Sequence, residues 1–230
     1  MRLLLEAGAD KNAANIRRGM SPMHLAAARG HLEVVRFLVE VGADQDQTSD
    51  AGVVPLHVAA LKGHVEIVRF LIELGANKDQ LTADNGKTPL HYAALKGHLD
   101  VVRFLVEVGA NKDQPTANDG STPLHYAAQE GHLDIVRFLV EVGANEDQRT
   151  ANDGSTPLHH AAEGGHLDIV RFLVEVGAAK DTVKNTGPTS LHFAVLCGHL
   201  DIVSFLVEAG ANADQPLTHN GSTPLRTYCC

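Results

Sequence analysis

Cysteine is scarce. The three present, Cys197, Cys229 and Cys230, fall at no regular spacing in 230 residues. That excludes the disulfide framework of a small secreted domain and favours an intracellular, cytoplasmic setting, with the nucleus as the alternative. Long apolar runs are missing too, so no stretch reads as a transmembrane span. The opening Met1-Arg2-Leu3-Leu4-Leu5 is interrupted by Glu6, and Gly8-Ala9-Asp10 matches the end of a repeat, which argues against a signal peptide. There is no basic excess: 19 Lys and Arg against 28 Asp and Glu leave a net charge of −9. This argues against nucleic acid and anionic membranes as partners. The spacings of catalysis are absent as well. No Ser/His/Asp or Cys/His set lies outside repeat positions, and no glycine-rich phosphate loop follows a strand. No catalytic residue, cofactor site or metal site is expected, and no Ser/Gly linker or shift of composition divides the chain.

What is there is a period. Gly120–Ala144, GSTPLHYAAQEGHLDIVRFLVEVGA, recurs as Gly154–Ala178 with three differences in 25 positions. Complete units begin near Gly19, Gly52, Gly86, Gly120, Gly154 and Gly187, and a seventh starts at Gly221; the spacings are 33, 34, 34, 34, 33 and 34 residues. Residues 1–18 hold a partial unit whose first ten residues resemble the end of a second helix. Residues 221–230 hold another that stops after a first turn. Within a unit, Thr122 reads as an N-cap whose hydroxyl satisfies an orphan N–H, and Pro123 as the first helical residue. The first helix ends at about Glu130 and is closed by Gly131. A second helix over about Leu133–Val142 carries Ile135, Val136, Leu139 and Val140 at helical spacing, and Gly143 ends it. Asn118-Asp119-Gly120 is a turn. Helices this short are unstable alone, and one pair cannot bury its own apolar face, so the units must stack in a single domain, residues 1–230.

Of 14 histidines, twelve occupy two repeat positions. His24, His57, His91, His125, His159 and His192 sit in T-P-L-H, while His31, His64, His98, His132, His166 and His199 follow the closing glycine. Neighbouring His159 and His160 point about 100° apart on a helix and make a poor chelate. The second helices repeat a charge pattern, Asp134/Arg137/Glu141 and its equivalents, whose spacing places each set on one solvated face. Phe37, Phe70, Phe104, Phe138, Phe172 and Phe205 hold one position and read as packing residues.

The pattern T-P-L-H-x-A-A…G-H-L-D-I-V-R-F-L-V-E-x-G-A-N resembles the ankyrin repeat and covers essentially the whole chain. The resemblance implies an all-α solenoid of antiparallel helix pairs joined by hairpin-like loops. It implies histidine hydrogen bonds that stitch neighbouring units, and a non-enzymatic role in binding proteins through a groove bordered by loop tips and first helices. Three columns that vary between units would border that groove. From them come the expected partner-binding residues: Arg29, Val53, Leu61, Lys62, Lys87, Tyr92, Leu95, Lys96, Tyr126, Gln129, Glu130, His160, Glu163, Phe193 and Leu196. The column before the cap also contains Met20, Ser121, Ser155 and Pro188. The groove is expected to be apolar and basic through units two and three, then polar and acidic, which favours a partner protein or peptide with acidic residues. The chain itself is expected to be a monomer whose end units could self-associate. The alternatives are a targeting segment of a larger, possibly enzymatic, protein and a self-associating structural element.

Overall fold

The computed structural model describes residues 8–15, 18–185, 187–217 and 221–227. Leu3, Leu4, Leu5, Cys229 and Cys230, which belong to the expected partial units, lie outside the described residues. The chain groups into two compact units, Met1–Asn111 and Lys112–Cys230. The first holds α1 (Pro22–Arg29), α2 (Leu32–Glu40), α3 (Pro55–Lys62), α4 (Val65–Glu73), α5 (Pro89–Leu95) and α6 (Leu99–Glu107). The second holds α7 (Pro123–Gln129), α8 (Leu133–Glu141), α9 (Pro157–Gly164), α10 (Leu167–Glu175), α11 (Ser190–Leu196), α12 (Leu200–Glu208) and the short α13 (Pro224–Thr227). In each unit, first helices pack on first helices and second on second: α1 on α3 on α5 and α2 on α4 on α6, then α7 on α9 on α11 and α8 on α10 on α12. Among the described residues there is no β-strand, and no helix is long and apolar enough to cross a membrane.

The core follows from small residues on first helices and large ones on second helices. Leu90, Ala93 and Ala94 are fully buried, as are Val101, Val102 and Leu105 behind them. The alanine pair lets adjacent first helices approach closely. The Leu, Ile and Val side chains then supply the burial, about 1.5–3 kcal/mol for each large aliphatic.

Sequence assigns the Thr122 hydroxyl to an orphan helix N–H, and the structure corrects this. Thr122 Oγ1 lies 2.9 Å from His125 Nδ1, and the Thr122 backbone N–H donates to the same nitrogen at 3.1 Å. The triangle recurs at Ser21–His24, Thr88–His91, Thr156–His159 and Thr189–His192. A ring nitrogen that accepts from a backbone N–H is unprotonated, so the hydroxyl donates to it and the ring proton sits on Nε2. The imidazole, three residues along, captures the hydroxyl that would otherwise cap the helix. At Thr88 the hydroxyl also accepts from the His91 N–H, at 3.4 Å. Val54 keeps the backbone half alone, its N–H donating to His57 Nδ1 at 3.1 Å.

That tautomer sends an N–H towards the next loop. His24 Nε2 donates to the Val53 carbonyl at 2.8 Å, His57 Nε2 to Gln80 at 2.8 Å, and His125 Nε2 to Ser155 at 3.3 Å. The second histidine column reaches back instead. His98 Nε2 meets the Leu61 carbonyl at 3.1 Å, His166 meets Gln129 at 2.9 Å, and His199 meets Glu163 at 3.1 Å. These carbonyls are left open at the ends of the preceding first helices. The rings sit hard against the closing glycines. Gly131 has φ +80, and a Cβ there would come within 2.6 Å of the His166 ring. The loops are tied edge to edge as well. The Ala151 N–H donates to the Asp119 carbonyl at 2.7 Å, and a Cβ on Gly120 would strike that same nitrogen at 2.7 Å.

Four arginines of the repeated charge pattern reach across to the next repeat instead of only along their own helix. Arg36 lies 4.4 Å above the Phe70 ring, Arg69 4.3 Å above Phe104, Arg137 4.6 Å above Phe172 and Arg171 4.5 Å above Phe205. Arg36 also meets Glu33, at 4.0 Å on the exposed surface. The phenylalanine of the next repeat, buried at Phe104 and Phe172 and half-buried at Phe70 and Phe205, offers a flat apolar face that a guanidinium can cover while its own edge stays in water.

Candidate partner-binding surface

On a first helix, the buried positions recur at intervals of three and four residues and leave the opposite side to the varied columns. In the first unit, Arg29, Lys62 and Lys96 are exposed at the helix ends, and Leu61 and Leu95 are half-buried beside them. Tyr92 is half-buried. Its ring meets His57 of the preceding repeat edge-on at 5.8 Å, with Lys87 Nζ 5.9 Å from its centroid. Burial, with the Asp84 carboxylate nearby, holds the Tyr92 phenol above its ordinary value. The aromatic column is therefore both packing and surface: each ring braces the previous histidine and keeps part of its face open.

The second unit repeats this with different chemistry. Gln129, Glu130 and Glu163 are exposed, Tyr126 is half-buried, and Leu196 is 55% exposed. His160 is half-buried and meets His125 edge-on at 5.5 Å. Phe193 meets His159 edge-on at 6.1 Å and lies under Lys184 Nζ at 4.5 Å. Lys184 in turn binds Asp153 Oδ2 at 2.7 Å. Burial pushes the Asp153 carboxyl up, but Lys184 and the Thr150 and Ser155 hydroxyls outweigh it and hold the group well below the usual carboxylate range.

The column before the cap divides. Met20, Val53, Lys87 and Pro188 keep part of their surface open, whereas Ser121 and Ser155 are buried. Their hydroxyls turn inwards to Asp119 Oδ2 at 2.8 Å and Asp153 Oδ1 at 2.7 Å. These two serines therefore do not border a groove. Val58, from the aromatic column, is also mostly buried.

One cleft in the first unit combines loop and helix. Met20 and Val53 from the loops, with Val58 and Leu61 from α3, wall a space of about 520 Å³, in the size class of ligand pockets. Arg18 and Lys62 stand at its mouth, with Asp50 also on the rim. Nothing in the repeat pattern points to Arg18, which precedes Gly19 in a loop outside the helix pairs. Among the described residues, no group of three or more His, Cys, Asp or Glu side chains is placed to hold a metal ion.

Helix pairs with this stitching define a class, and the comparisons agree. The family described as ankyrin repeats (3 copies) matches residues 1–82, 75–150 and 143–216, and the chain belongs to that family. The crystal structure of the human ASB11 ankyrin repeat domain superposes with a TM-score of 0.83 at 31% identity, covering 90% of this chain and 91% of that one. Protein phosphatase 1 regulatory subunit 27 of Homo sapiens is 45% identical over 52 residues, which is 23% of this chain and 33% of that protein. Its Mus musculus counterpart is 42% identical over 52 residues. The matched segment thus spans about a third of these relatives. Ankyrin repeats as a class are protein–protein interaction modules, and a regulatory subunit among the relatives fits that role.

Proposed function

We propose that this chain is a non-catalytic adaptor that binds a partner protein or peptide through the loop and first-helix side of its repeats. The observation that carries the reading is the division of each first helix. The positions that agree between repeats are buried, while those that differ (Leu61, Tyr92, Leu95, Tyr126, Phe193, Leu196) keep apolar surface in contact with water. Aromatic and aliphatic side chains with charged neighbours are what interface centres favour. The cations Arg29, Lys62 and Lys96 in the first unit favour acidic residues on the partner, and an intracellular setting suits a chain with so little cysteine.

The test is affinity purification with the intact chain, followed by binding of the recovered partner to variants of unchanged melting temperature. Alanine at Tyr92, Leu95 or Tyr126 is expected to cost about 1–3 kcal/mol of binding each. Alanine at Arg103 or Arg137 on the second helices is expected to cost little. The opposite ranking would place the interface on the second helices and overturn the proposal.

A further inference from the structure

Building on the adaptor role, we infer that the cleft walled by Met20, Val53, Val58 and Leu61 is an anchor pocket for an extended acidic segment of the partner. The segment seats one or two bulky apolar side chains between loop and helix and sets carboxylates against Arg18 and Lys62.

Three observations specify this occupant. First, the walls are mostly apolar and come from two loops and two helices, with Ala28 of α1 facing Val58 and Leu61 of α3 across the lining, so the space suits a chain lying across several elements. Its volume, about 520 Å³, exceeds one large side chain and suits two. Second, the rim carries cations that the protein leaves available. Among the described residues, neither Arg18 nor Lys62 has a carboxylate within ion-pair distance, and both are exposed. Asp50, the acid on the rim, lies beside the Gly19 backbone, which leaves the α3 side of the mouth to Lys62. Third, the negative charge of the chain is unevenly placed. Residues 1–111 hold 12 Lys and Arg against 13 Asp and Glu, whereas residues 112–230 hold 7 against 15. An acidic segment therefore meets almost no net repulsion from the first half and a strong one from the second. The varied side chains follow the same division, with Arg29, Lys62 and Lys96 in one half and Glu130 and Glu163 in the other.

The experiment uses the full chain. A phage-displayed library of random dodecapeptides is panned against it, and enriched peptides are resynthesised with fluorescein for anisotropy titration. The expected consensus is a Leu, Ile, Phe or Trp beside two or more Asp or Glu. Affinity is expected to fall at least about tenfold in Leu61→Glu and in the double variant Arg18→Glu/Lys62→Glu, and to weaken as NaCl rises from about 50 to 500 mM. Lys62→Glu alone changes a surface side chain and still decides the matter if Leu61→Glu lowers the melting temperature. Binders whose consensus is basic or wholly polar, or that bind these variants as they bind wild type, overturn the pocket but leave the adaptor role standing. Light scattering that shows concentration-dependent association abolished by Leu61→Glu assigns the cleft to a second copy instead and also overturns it. Absence of any enriched peptide counts against both the pocket and peptide binding by the adaptor.

Discussion

Acid should unfold this protein through its buried histidines. Burial pushes His57, His125 and His159 down from 6.5 to about 4. The folded state holds these rings neutral because each Nδ1 is occupied as an acceptor, while the unfolded chain lets them protonate near the ordinary value. Each ring therefore contributes stability that is complete above that value and is lost as pH falls from about 6.5 to 4, about 3 kcal/mol over the whole range and about 2 kcal/mol by pH 5. Three such losses rival the total stability of a typical domain, about 5–15 kcal/mol. His125 and His159 lie in the second unit and His57 in the first, so the second unit is expected to yield first. Asp119 and Asp153, whose carboxyls are held below their ordinary value, support the fold above that value and lose their contribution only at lower pH. The assay is urea denaturation followed by circular dichroism at pH 7.5 and 5.0, on wild type and His57→Gln. The variant is expected to start less stable and to lose about 2 kcal/mol less on acidification. Equal losses in both proteins, or a wild-type stability unchanged between the two pH values, would refute the argument.

Three further outcomes follow from the packing. Arg137→Ala and Arg171→Ala should each lose about 0.5–1 kcal/mol in urea denaturation through the uncovered Phe172 and Phe205 rings; unchanged stability in both would mean that the stacking contributes nothing. Gly131→Ala should lower the melting temperature more than Gly143→Ala. Both residues have positive φ, but only the first would drive a Cβ into a histidine ring; equal falls would contradict the close approach. Val54→Thr should gain about 0.5–1 kcal/mol, because the new hydroxyl can donate to His57 Nδ1 as its counterparts do; a loss in the same denaturation assay would mean that the triangle is strained there.

The helix pairs, their caps and their closing glycines were legible because each is written once per repeat, and Thr-Pro followed by Gly-His leaves little freedom. What the spacing could not give was contact across the stack. Arg137 has Asp134 and Glu141 at helical intervals, so sequence pairs it along its own helix. Its true neighbour is Phe172, 35 positions away in the next repeat. The Thr122 hydroxyl was misassigned for a related reason: cap preference knows nothing of an imidazole that outbids the backbone. Variation between repeats located most of the exposed first-helix side chains but failed at buried Val58 and, in the loops, at Ser121 and Ser155. There a changed residue means a new partner two positions back, Asp119 or Asp153, and not an open surface. The cleft was half legible. Val53, Leu61 and Lys62 belong to varied columns, while Arg18 belongs to none.

The near-identity of successive repeats has a kinetic side. Leu133–Glu141 and Leu167–Glu175 share one sequence, LDIVRFLVE, and the faces they present are interchangeable. A refolding chain can therefore pair either segment with the same neighbour and leave a whole repeat looped out, at little cost in contacts. What distinguishes the right alignment is a few side chains that occur once. Lys184 stands where Thr116 and Thr150 stand in the preceding loops, and it bonds Asp153 at 2.7 Å. Arg149 donates to the Val183 carbonyl at 2.9 Å across the same junction. These contacts act as an address as much as a brace. Removing both with Arg149→Ala/Lys184→Ala should lower the melting temperature only modestly, because neither side chain is fully buried, and make refolding multiphasic by stopped-flow circular dichroism. A single refolding phase in that variant would show that the alignment is set elsewhere.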